Sequence, residues 1–220
     1  MPHRLAAALL AVITLGCDAR PADPHMTMRY LALGDSYTIG ESVAEHERFP
    51  NQLAELLRRR GEPIGQVQII ATTGWTTDEL NAGIDRANPR GPFDRVSLLI
   101  GVNNQYRGRA VEDFRGQFAA LLERAIGFAG GDVRRVFVVS IPDWGVMPFA
   151  AGRDREKIAA EIDTYNLACR AACEKRGVKF IDITPISRRA ATQPSLGASD
   201  GLHPSGEQYR LWAEKIAAEL

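Results

Sequence analysis

Five times along this chain a short apolar run gives way to a stretch with helical spacing, and this alternation limits the available folds more than any other feature. The runs are Tyr30 to Leu33, Val67 to Thr72, Arg95 to Ile100, Val136 to Ile141 and Val178 to Ile183. They are apolar nearly throughout rather than at every second residue, as strands buried on both faces must be. Between and after them, apolar side chains recur at helical intervals: Phe49, Leu53, Leu56 and Leu57; Val111, Phe114, Phe118, Leu121, Leu122 and Ala125; Ile158, Ile162, Tyr165, Cys169 and Ala172; Tyr209, Trp212, Ala213, Ile216 and Leu220. A shorter helix, capped by Thr76 or Thr77, is expected to end near Asn88-Pro89. The pattern predicts an α/β three-layer sandwich, a five-stranded parallel sheet with helices on both faces. With 220 residues the chain suffices for one such domain, expected over residues 29–220.

Ligands of an open parallel sheet bind outside the carboxyl ends of its strands. Several chemically suggestive residues follow strands directly: Ser36 after the first, Gly74 after the second, Asn103 after the third and the 144–149 loop after the fourth. A segment carrying Asp200 and His203 lies beyond the fifth. A serine nucleophile needs a base, a group that orients the base, and donors for the oxyanion that forms on the substrate. Of the four histidines, His3 falls in the N-terminal leader, His25 in a polar tether and His46 in a charged loop, which leaves His203. Asp200, three residues earlier, is within reach of one imidazole nitrogen, so Ser36, His203 and Asp200 are the expected catalytic triad.

Gly34-Asp35-Ser36, Gly74, Gly101-Val102-Asn103 and Asp200-Gly201-Leu202-His203 stand in this order across the domain. On these four blocks the chain resembles the SGNH hydrolase family, also called GDSL esterases and lipases. The resemblance implies a flavodoxin-like fold, esterase chemistry without cofactor or metal, and an oxyanion hole built from the Ser36 N–H, the Gly74 N–H and the Asn103 side-chain amide. Glycine allows the backbone to approach a reacting carbonyl closely, and an amide donates without carrying charge. One departure is Asn104, where many members have Asp; it alters local charge and the way the following loop is held. The α/β-hydrolase elbow, Gly-x-Ser-x-Gly, is not met because position 38 is Thr. No His-Glu-x-x-His or paired His/Asp cluster suggests a metal hydrolase.

Basic and acidic residues number 27 each, so the chain has no charge excess that would draw it to nucleic acid. Arg4, an apolar run from Leu5 to Leu15 and Gly16-Cys17 have the order of a secretory signal, too short to span a bilayer. The segment resembles a bacterial lipoprotein leader with Cys17 as the lipidated residue, and so predicts export to the periplasm, free or membrane-anchored. Residues 1–17 are then leader and 18–28 tether; ordinary secretion, or a cytoplasmic protein starting at Met26 or Met28, are the alternatives. Cys169 and Cys173, four apart in a helix, are poorly set for a disulfide and read as small buried hydrophobes. Asp35 and Asp143 read as turn or support residues, and Arg107 and Arg109 as a solvated face.

The expected reaction is hydrolysis of carboxylic esters, with short acyl or acetyl groups, carried on a small molecule or a glycan. Trp75, Trp144, Met147 and Phe149 are candidates for lining an acyl or aglycone pocket, and equally for packing their own loops. Two other functions fit the same sequence: a lysophospholipase or thioesterase using the same triad, and a non-catalytic surface module that binds carbohydrate.

Overall fold

A computed structural model describes residues 27–220. The leader, most of the tether, and with them Cys17 and Met26, lie outside the described residues. Five parallel strands form one sheet in the order β2-β1-β3-β4-β5: β1 (Met28–Gly34), β2 (Ile64–Ala71), β3 (Arg95–Leu99), β4 (Val136–Val139) and β5 (Lys179–Ile181). The central strands are buried along almost their full length, and Tyr30 on β1 hydrogen-bonds across to Ser97 on β3 at 2.9 Å. β2 begins earlier than its apolar run predicts. At this sheet edge Gln66 and Gln68 face solvent while Val67 and Ile69 pack inward, so the strand adopts a two-residue period that an apolar-run criterion overlooks.

The helices are α1 (Ser36–Ile39), α2 (Phe49–Arg59), α3 (Thr77–Ala87), α4 (Val102–Tyr106), α5 (Val111–Phe128), α6 (Arg155–Arg176), α7 (Thr184–Arg188) and α8 (Gly206–Glu219). α2 and α8 pack together, and α3, α5 and α6 form a second contiguous layer. Right-handed crossovers leading in opposite directions from β1 and β2 put the two layers on opposite faces of the sheet. Thr76 caps α3, with Glu79 reaching back to the Thr76 N–H at 2.8 Å. Cys169 and Cys173 are free thiols buried under α6.

The region 184–199, which shows no helical apolar spacing, holds α7 and two short 3₁₀ turns at 189–191 and 194–196. Buried hydrogen bonds replace periodicity there: the Ser140 hydroxyl accepts from the Ile183 and Thr184 N–H groups at 2.8 and 3.1 Å. The turn after β1 is likewise helical, so Ser36 occupies the first turn of a short helix. Strand order reverses between β1 and β3, and the ends of these two strands open onto the crevice where such sheets hold ligands.

Candidate active site

β1 delivers the chain to Gly34 with no room for a side chain. A Cβ there would collide with the Thr38 hydroxyl and lie 2.5 Å from the Leu99 carbonyl oxygen. Asp35 then caps α1, accepting the Tyr37 N–H at 3.0 Å, and Ser36 follows as the first helical residue. An N–H in that position has no acceptor within its own helix, and that of Ser36 meets none among the described residues. Asp35 is fully buried with its second carboxylate oxygen unpartnered, and this desolvation raises its pKa to about 7 despite the Tyr37 hydrogen bond.

Gly74 adopts φ +86°, a conformation strained for any residue with a side chain. Its carbonyl accepts from Arg107 Nη2 at 2.7 Å, and Arg107 Nη1 is in turn held by Glu79 at 3.2 Å. The Gly74 N–H donates to no acceptor among the described residues. Asn103, in the first turn of α4, uses one amide hydrogen on the Trp75 carbonyl at 2.9 Å and retains the other. Three donors with spare hydrogens therefore come from three different strand ends.

Asp200 is saturated with hydrogen bonds. Its Oδ1 accepts from the Leu202 and His203 N–H groups, both at 2.9 Å, and its Oδ2 from His203 Nδ1 and the Ser42 hydroxyl, both at 2.6 Å. Burial would raise this carboxyl, but the hydrogen bonds from Ser42, His203 and the two backbone groups outweigh it and hold the pKa far below the usual carboxylate range. An ionised partner at Nδ1 makes that nitrogen the donor and leaves Nε2 as the acceptor. Ser42 is at φ +67°, where non-glycine residues are rare, so its hydroxyl is delivered to Asp200 by a strained turn.

Ser36, Gly74, Asn103 and His203 line a single cleft of about 170 Å³, together with Tyr37, Thr73, Val102, Tyr106, Trp144, Phe149 and Leu202. Of the four apolar candidates only Trp144 and Phe149 reach it. Trp75 instead packs on Gly83 of α3, so closely that a methyl group there would collide with the ring. Met147 is buried behind the 144–149 loop, against Gly197. Arg107 and Arg109, read from sequence as a solvated face, are ion-paired to Glu79 and Asp78, and Arg107 holds the Gly74 peptide as well. Asp143 supports its loop by accepting the Gly145 N–H at 2.9 Å and pairing with Arg188.

Three contributors escaped the sequence reading. Tyr106 lies three residues after Asn103 on α4, a spacing that puts both on one side of the helix and so was a usable signal. Ser42 and the Arg107 clamp offered none, because their partners are distant in sequence or depend on an unusual backbone angle. Asn104 is buried and ties α4 to the start of α3: it accepts the Thr77 N–H at 3.1 Å and donates to the Thr77 hydroxyl at 2.8 Å.

The sequence model of the GDSL-like lipase/acylhydrolase family matches residues 32–211. No curated protein matches the sequence. Among solved structures, the lipase Lip_vut3 from a goat rumen metagenome superposes with a TM-score of 0.69 at 19% identity, over 87% of this chain and 97% of that one. A lipolytic G-D-S-L family protein from Veillonella parvula gives 0.66 at 19% identity, over 88% and 98% of the two chains. Axe2, an acetylxylan esterase from Geobacillus stearothermophilus, gives 0.66 at 17% identity, over 87% and 93%. At such identities the superpositions establish a shared fold. Taken with the family's sequence pattern spanning most of the domain, they lead to one conclusion: the chain belongs to the GDSL-like lipase/acylhydrolase family.

Proposed function

We propose that this protein is a serine esterase that hydrolyses short-chain carboxylic esters, acetyl esters included, through an acyl-enzyme on Ser36. The reading is carried by one observation: a serine, a histidine backed by an ionised carboxylate, and three spare hydrogen-bond donors share one small cleft. Ser36 Oγ attacks the ester carbonyl carbon while its proton passes to His203 Nε2. The oxyanion is received by the Ser36 and Gly74 N–H groups and the free hydrogen of the Asn103 amide. Collapse expels the alcohol, which takes the proton from His203. Water then attacks the acyl-enzyme by the same route and releases the acid. Asp200 stays ionised throughout, fixing the imidazole tautomer and balancing the imidazolium.

The preference for short acyl groups is supported by cleft size, since about 170 Å³ is below the roughly 300–1,000 Å³ of pockets that enclose drug-sized ligands. The acetylxylan esterase among the structural relatives is in keeping with it. A panel of p-nitrophenyl esters from acetyl to palmitoyl tests both parts. The expected kcat/KM is highest at two to four acyl carbons, and Ser36→Ala removes nearly all turnover while the circular dichroism spectrum is unchanged. An optimum at long chains would favour the lysophospholipase reading, and full turnover by Ser36→Ala would refute the nucleophile.

A further inference from the structure

Tyr106, Trp144 and Phe149 form a triangle of rings on one wall of the cleft, with centroids 5.4, 6.0 and 6.2 Å apart. The Arg153 guanidinium caps this triangle, 5.2, 5.3 and 5.5 Å from the three centroids, and its Nη2 donates to the Tyr106 hydroxyl at 3.3 Å. Arg153 itself is exposed and makes no ion pair among the described residues. Its situation differs from that of Arg107, Arg109 and Arg188, each committed to carboxylates, and of Arg155, which is turned to the Met147 carbonyl at 3.5 Å. The adjacent acid, Asp154, is also engaged, capping α6 through the Lys157 N–H at 3.0 Å.

A guanidinium held over aromatic rings is fixed in place by cation–π attraction while most of its N–H donors remain free. Those donors match the two oxygens of a carboxylate or phosphate. The rings also exclude water beneath the cation, which strengthens its attraction for an anion. Arg153 does not line the cleft itself but adjoins it through Tyr106, Trp144 and Phe149, which do. Tyr106 and Phe149 are 45% and 42% exposed, a large value for aromatic side chains that a folded protein gains by burying. Rings and cation together describe one complementary ligand shape: an apolar or flat body ending in an anion.

We propose that Arg153 is a specificity-determining residue that selects esters whose body lies along the aromatic wall and ends in a carboxylate or phosphate, with Tyr106 and Phe149 contacting the intervening apolar part. The inference rests on the esterase reading of Ser36 and narrows it from esters in general to monoanionic or dianionic ones. The anion can be attached to either side of the ester, and each attachment has its own test.

Three matched pairs of substrates separate the cases. Mono-p-nitrophenyl glutarate against p-nitrophenyl valerate puts a carboxylate on the acyl side. Against methyl 4-acetoxybenzoate, 4-acetoxybenzoate puts a carboxylate on the alcohol side and 4-acetoxyphenyl phosphate a phosphate. The readout is the ratio of kcat/KM for the charged ester to that for its neutral partner. In at least one pair this ratio is expected to fall about tenfold in Arg153→Met, which retains an apolar stem against the rings, and less in Arg153→Lys, which retains the charge but not the fork. The wild-type ratio is also expected to fall as salt is raised toward 1 M. Binding of phenyl phosphate, followed by titration calorimetry, judges Arg153 without any turnover: affinity drops about tenfold in Arg153→Met and is kept in Ser36→Ala. Unchanged ratios in all three pairs, or equal phenyl phosphate affinity in wild type and Arg153→Met, would overturn the proposal. Failure of the wild type to hydrolyse any of these esters, charged or neutral, would instead count against the nucleophile reading, leaving the calorimetric arm to decide on Arg153.

Discussion

Ser42 bears on the chemistry more than its place in a surface turn suggests. It gives Asp200 a hydrogen bond at 2.6 Å from a backbone conformation that disfavours any side chain. A hydrogen bond to a charged group contributes about 1.5–3 kcal/mol. Removing it by Ser42→Ala is expected to lower kcat on a p-nitrophenyl ester about tenfold with KM little changed, because the bond acts through Asp200 on His203 rather than on substrate. Ser42→Gly should lose the same turnover yet unfold at higher urea than Ser42→Ala, by about 1 kcal/mol, since glycine accepts φ +67° freely. Wild-type kcat in both variants would exclude the positioning role. Asp35 gives a second test. The unfolded chain sheds this proton near pH 4, whereas the folded chain holds it to about pH 7. Between those values the native state binds the extra proton, so stability from this group falls as pH rises. Asp35→Asn has no such dependence, and relative to wild type it should gain roughly 2–3 kcal/mol between pH 5 and pH 8 in urea denaturation. An equal gap at both pH values would contradict the burial argument. From sequence Asp35 was legible as a turn residue and no more, because only the folded core takes its carboxylate out of water.

At the scale of elements, the donors of the site are aligned by ties between loops. Asn104 joins α4 to α3, Arg107 joins α4 to the Gly74 peptide, and Asn103 reaches the Trp75 carbonyl. Asn104→Ala leaves the Thr77 N–H buried without its acceptor and is expected to lower the unfolding free energy by about 1–3 kcal/mol, with an unchanged urea m-value. An unaltered midpoint would show that water replaces the tie. These connections explain the uneven legibility of the chain. Helices α2, α3, α5, α6 and α8 were readable because each buries a stripe of apolar residues at regular spacing. α7 is five residues long and is held by hydrogen bonds to Ser140, a residue more than forty positions away, so no local period announces it. The same holds for Trp75 and Met147. Their apolar character was plain, but whether they face the cleft or the interior depends on Gly83 and Gly197, which meet them only in the folded chain.

For the whole molecule, the strand order places the ends of β1 and β3 side by side where the chain switches direction across the sheet. Motifs separated by more than 160 residues, from Ser36 to His203, meet along that edge because parallel pairing aligns all carboxyl ends. This is why a reading of strand ends in sequence recovered most of the cleft, and why it could not recover what approaches from elsewhere, such as Arg153 over its rings. The esterase proposed for this cleft requires that Ser36 becomes acylated during turnover. The most direct measurement is intact and peptide mass spectrometry of the protein mixed with p-nitrophenyl acetate and quenched in acid within milliseconds to seconds, alongside labelling by a fluorophosphonate. A single acetyl or phosphonyl adduct is expected on the peptide containing Ser36, absent from Ser36→Ala. Ester turnover with no adduct, or an adduct on another residue that persists in Ser36→Ala, would contradict acylation at Ser36.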